Sequence, residues 1–137
     1  MANGTIAFDT LQTSGQITGT AKSVDTDYVV NGSAKAWLAY ADNSDTTKGS
    51  FNISTITDSS TTGVSTINIT NAMSDAFYAV TSQGGNSIIY EASNTSGSGS
   101  SGGFSARTSS AFIIGSINDS GTRTDSDNNT VVHGDLA

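Results

Sequence analysis

Cysteine and proline are both missing from this 137-residue chain, and leucine, histidine and tryptophan are nearly so, with three, one and one copies. Each shortage excludes something. Without cysteine there can be no disulfide and no thiolate metal site. Basic residues are also few: five Lys and Arg stand singly along the chain against twelve Asp and Glu, for a net charge of −7. No basic patch exists to follow a phosphate backbone, so nucleic acid is not an expected partner. No apolar run is long enough to cross a bilayer as a helix. Met1-Ala2-Asn3-Gly4 shows neither a basic n-region nor an apolar h-region, so the expectation is synthesis in a cytoplasm without a secretion signal.

What is present is polar but not charged. Ser and Thr supply roughly a third of the residues, hydrophobic residues 34% and charged residues 12%. Low apolar content favours disorder, but disordered chains are usually rich in charge and proline, and this one is poor in both. The apolar residues are mainly Ile, Val, Phe, Tyr and Ala in short clusters, with Ser, Thr and Asn between them, which is the composition of a β-sheet protein. A thin core in such a protein is commonly reinforced by association, so an oligomer is expected.

Along the chain, residues 1–33 are sparse in apolar side chains and read as an extended N-terminal arm with one or two strands, Ile6 and Phe8 alternating with polar neighbours. From Ala34 the density rises. Strands are expected at Ala34–Tyr40, where Ala and Leu would also allow a helical turn, at Phe51 with Ile53 and Ile56, at Ser65–Thr70, Phe77–Thr81, Ser87–Glu91 and Ala111–Gly115, and at Val131–His133. Asp42–Asp45 reads as a loop, and the residues around Gly63 read as a hairpin turn. Phe51, Ile53, Ile67, Ile69 and Val80 are expected in one core, because each pair within a strand is two residues apart. Trp37 could stack on a sugar if exposed. Ser96–Gly103 has the composition of a flexible linker. The fold class expected is all-β: a compact antiparallel sandwich-like module over 34–137, preceded by the arm.

Candidate chemistry is thin. His133 is the only histidine, so a Ser-His-Asp triad would have to use it, and no G-x-S-x-G elbow accompanies it. Glu91 beside Tyr90 is the one position suited to a carboxyl of raised pKa for glycan hydrolysis. Asp125-Ser126-Asp127-Asn128-Asn129 places oxygen ligands at alternate positions, as a calcium loop begins. Thr130 and Leu136 then stand where an EF-hand needs Gly and Glu, which leaves only a looser divalent-cation site around Asp125 and Asp127. The expectation is a non-enzymatic protein with no cofactor.

Ser50-Phe51-Asn52-Ile53-Ser54, Ile56-Thr57-Asp58, then Ile67-Asn68-Ile69-Thr70-Asn71-Ala72-Met73-Ser74-Asp75 and Tyr78-Ala79-Val80 form one pattern. It resembles a module of tail-fibre and other virion proteins of marine phages, of the cyanophage and pelagiphage kind. Ala34-Lys35-Ala36-Trp37, Ser109-Ser110-Ala111-Phe112 and Ser120-Gly121-Thr122 fit the same pattern, which spans about residues 34–137. Ser74 stands where the family usually has Pro, and Ser59–Thr62 differ from its hairpin. In that pattern Trp37 sits in a strand and packs in the core, Asp75 braces a turn by accepting backbone N–H bonds, and Phe77 or Tyr78 and Val80 fill the core. The resemblance implies a homotrimeric virion surface protein of tail-fibre type. Residues 1–33, too poor in apolar area to fold alone, are expected to anchor the protein to other tail or capsid proteins, with residues 34–137 turned outward toward a host surface glycan or protein. A capsid decoration protein built from the same module is the alternative.

Overall fold

The computed structural model describes residues 15–18, 23–85, 87–92 and 106–137. The Ile6–Phe8 strand and the Ser96–Gly103 linker lie outside the described residues. The described residues form ten strands and one short α-helix: β1 (Gln16–Thr18), β2 (Ser23–Asp25), α1 (Thr26–Gly32), β3 (Ala36–Ala41), β4 (Thr46–Phe51), β5 (Ile53–Asp58), β6 (Val64–Ile69), β7 (Ala79–Gly84), β8 (Ile88–Glu91), β9 (Ala111–Ile117) and β10 (Asp127–His133). β1 and β2 pair as a small antiparallel hairpin. The other eight strands form two four-stranded antiparallel sheets, ordered β4-β3-β10-β7 and β5-β6-β9-β8. The all-β sandwich read from the sequence is the observed architecture.

Alternation along the strands assigns the faces. In β3, Ala36, Leu38 and Tyr40 are buried between the sheets, and Val132 joins them from β10. Ile67 and Ile69 of β6 and Phe112 and Ile114 of β9 meet them from the second sheet, with Met73 and Tyr78 closing one end. Ile53, Ile56, Val80 and Ile89 pack around this cluster. Burial is unequal along the interlayer. At its other end the inward positions are polar: Ser65, Ser116, Asn128 and Thr130 are all buried, and Thr130 Oγ1 lies 2.8 Å from Ser82 Oγ.

Several expectations need correcting. Phe51 is not in the core but 55% exposed, and Trp37 is 43% exposed. The strand assumed to hold Phe51, Ile53 and Ile56 is two strands in different sheets. Asn52 adopts φ 58°, which stops β4 and turns the chain across to β5. The two-residue spacing of Phe51 and Ile53 therefore says nothing about a shared face. Trp37 sits between inward Ala36 and inward Leu38, so alternation sends it outward. Phe77 is exposed and Tyr78 buried, and β7 begins only at Ala79. Residues 26–32 are not extended, as the composition of the arm suggests, but form the helix α1. Asp42–Ser44 is a single 3-10 turn ended by Asp45 in the left-handed region, and Thr46–Phe51 is a strand that its polar composition concealed.

Candidate functional site

Four connections gather at the polar end of the sandwich: the turn after β3, the β5–β6 hairpin, the β7–β8 connection and the segment between β9 and β10. They bring Asp42, Asp45, Asp58, Asp125 and Asp127 to one end of the molecule. The hairpin turns at Gly63, whose φ of +68° and approach to Thr124 O leave no room for a Cβ. Asp125 Oδ1 accepts the Gly63 N–H at 2.5 Å, tying the β9–β10 segment to the hairpin. Asp42 is buried and its Oδ1 accepts from Ser65 Oγ at 2.8 Å. Burial raises the Asp42 carboxyl above its ordinary range, the Ser65 bond opposes that, and the nearby charges of Asp125 and Asp58 add to it. Asp58 is also raised, by desolvation and then by Asp45 and Asp125. Tyr40 donates its hydroxyl to Asp45 Oδ1, and burial together with that carboxylate pushes its pKa far up.

A cleft of about 350 Å³ opens at this end, with Asn43, Ser87, Asn118, Asp125 and Asp127 among its walls. The two aspartates singled out in the sequence are thus neighbours on one cleft, although Asp125 is engaged as a turn brace. Among the described residues no three His, Cys, Asp or Glu side chains gather closely enough to hold a metal ion.

Glu91 lies elsewhere and is held. Arg107 Nε donates to Glu91 Oε1 at 2.6 Å and Nη2 donates to Oε2, while Nη1 donates to the Tyr78 carbonyl. The guanidinium also stands 4.7 Å from the Tyr78 ring centroid. Tyr78 shares its hydroxyl proton between the carbonyls of Thr108 and Ala111, each 2.9 Å away. Burial pushes the Tyr78 pKa up to about 12, the Arg107 charge opposing and the Glu91 charge reinforcing. Glu91 therefore anchors the segment at Arg107 to the sheet; both of its oxygens face a cation rather than an apolar pocket. Nothing in the sequence marked Arg107 as its partner, sixteen positions away.

His133 ends β10 opposite Ala79 and is half-buried, with no side-chain hydrogen bond among the described residues. Asp75 does what the sequence pattern asks: its Oδ1 accepts the Phe77 N–H at 2.7 Å.

The remaining feature is the outer face of the β4-β3-β10-β7 sheet. Phe51, Trp37, Val131 and Thr81 are register partners in turn, so they form one row across all four strands. The next row is Gly49, Ala39, Asn129 and Gln83. A β-bulge between Ala39 and Tyr40 inserts Lys48 as an additional residue in β4. Lys48, Ala39, Ala41, Asp127 and Asn129 line a shallow depression of about 100 Å³. Sequence reasoning missed this arrangement because it needs the cross-strand register. The signal available was Trp37 set between two inward-facing positions.

No family model matches the chain, and neither does any curated protein or solved structure.

Proposed function

We propose that this chain is a non-enzymatic surface protein of a phage particle, of tail-fibre type, that contributes to particle assembly and host attachment. The observation that carries the reading is the residue pattern from Ser50 to Val80, whose polar members have specific structural work. Asn52 makes the crossing between sheets and bonds to Asn71, and Asp75 braces the turn before Tyr78. A pattern of this kind is what a module preserves when its loops are free to vary. The acidic, hydroxyl-rich surface suits display outside a particle without sticking to DNA or to anionic envelopes. In this reading residues 1–33 supply attachment, residues 34–137 are displayed, and the assembled form is a homotrimer.

Antibodies raised against residues 34–137 and counted on purified particles test the proposal. Labelling of tail structures at tens of copies or fewer supports it. Hundreds of copies over the capsid favour decoration, and unlabelled particles overturn both. Light scattering of the isolated protein at micromolar concentration tests the trimer, and a monomer there overturns it.

A further inference from the structure

We propose that the outer face of the β4-β3-β10-β7 sheet binds a neutral pyranose sugar, with Trp37 as the stacking platform and Lys48, Asp127 and Asn129 as the hydrogen-bonding rim. The inference deepens the attachment reading and rests on it only for the identity of the surface that carries the sugar.

The platform comes first. The six-membered ring of Trp37 rests against the backbone at Gly49, where a Cβ would stand 3.2 Å from Cζ3 and 3.3 Å from Cη2. Glycine at that position lets the indole settle onto the sheet while 43% of the residue stays in solvent. Phe51 and Val131, its two register partners, extend the apolar row on either side. A large aromatic left in water on the face of a sheet is not explained by packing among the described residues.

The rim begins one row along, at Asn129 opposite Ala39, and runs to the second row, at Asp127 opposite Ala41. Ala39 and Ala41 keep the floor of the depression low, and the bulge brings Lys48 to its edge. Asp127 and Asn129 rise from the neighbouring β10. Among the described residues none of these three side chains makes an internal hydrogen bond or ion pair. An ammonium, a carboxylate and an amide thus share one depression, with unused donors and acceptors, on the same sheet face as the indole and starting one row from it.

The charges choose the ligand. One cation, one anion and one neutral amide sum to zero, which complements an uncharged molecule and disfavours a phosphate or a carboxylated sugar. A pyranose has an apolar C–H face bordered by hydroxyls that both donate and accept, the same juxtaposition of apolar platform and polar edge. A second copy of the chain fits less well. β4 is an edge strand bearing Lys48, a charge that works against edge pairing, and docking of a second copy would have to take an ammonium and a carboxylate out of water.

Trp37 is the only tryptophan, so its fluorescence reports on this site alone. The experiment titrates the full chain with neutral hexaoses of glucose, galactose and mannose and with a galacturonic acid oligomer. At least one neutral sugar should give a saturable blue shift, with Kd on the order of 1 mM. Lys48→Ala and Asn129→Ala are exposed changes that should leave the melting temperature unchanged and weaken binding about tenfold. Trp37→Ala should abolish the sugar signal in saturation-transfer NMR. No response to any neutral sugar overturns the proposal, as does a response to the galacturonic acid oligomer alone. A shift that follows protein concentration and not sugar would make this face a contact between copies, and also overturns it. Particle labelling reads the virion proposal separately, so the two can fail independently.

Discussion

Asn52 and Asn71 hold each other at the point where the chain passes from one sheet to the other. Asn52 Oδ1 accepts from the Asn71 N–H at 2.7 Å and from its Nδ2 at 3.0 Å. Asn52 Nδ2 donates in turn to the carbonyls of Lys35, at 2.9 Å, and Asn71, at 3.2 Å. One side chain therefore fixes the start of β3, the end of β6 and its own left-handed backbone. Asn52→Ala should cost about 2–3 kcal/mol, from lost hydrogen bonds and a residue that resists positive φ. Asn52→Gly should cost about half as much, since only the bonds are lost. Urea unfolding of both variants checks the order.

Inside and outside can be separated by truncation. Ile69→Ala removes a buried side chain and should cost on the order of 2–4 kcal/mol. Phe51→Ala, despite the larger side chain, should cost no more than about 1 kcal/mol because the ring is mostly in water. Equal losses in thermal unfolding would overturn the placement of Phe51.

The Arg107–Glu91 pair is nearly dry, with side-chain exposures of 3% and 16%. Arg107→Met strands a carboxylate in a poorly hydrated place and should cost about 3–5 kcal/mol. Adding Glu91→Gln to it should recover a large part of that loss, because no unpaired charge then remains. A double-mutant cycle measures the coupling.

Asp42 should give the protein a recognisable pH dependence. Its folded pKa lies above the ordinary 3.8, chiefly through burial. Between 3.8 and the raised value the folded chain keeps a proton that the unfolded chain has released. Stability therefore falls as pH rises through that window and is regained on mild acidification. Asp42→Asn keeps an oxygen to accept from Ser65 and carries no charge. It should be more stable than the parent at neutral pH, with the difference closing as pH falls. Melting temperatures of both proteins from pH 7 downward test the sign.

Composition and short-range pattern were enough for the class of fold and for most strands. β-branched clusters separated by Ser, Thr, Asn and Gly can bury themselves only as sheets, and Ser65–Thr70 alternates so cleanly that its inward face follows directly. Asp75 and the turn at Gly63 were legible because local backbone geometry demands those residue types. What the sequence left undecided depends on which strands become neighbours. Whether Phe51 and Ile53 share a face hinges on one residue, Asn52, leaving the β region, and Asn52 does so because of bonds to Lys35 and Asn71 that exist only in the folded chain. Glu91 looked like a lone carboxyl until folding set Arg107 against it. Trp37, Lys48, Asp127 and Asn129 lie up to 92 positions apart, and only the register of β3 between β4 and β10 makes them one surface. Side-chain chemistry is written residue by residue, but proximity is written by hydrogen-bonded register, and register is a property of the whole sheet.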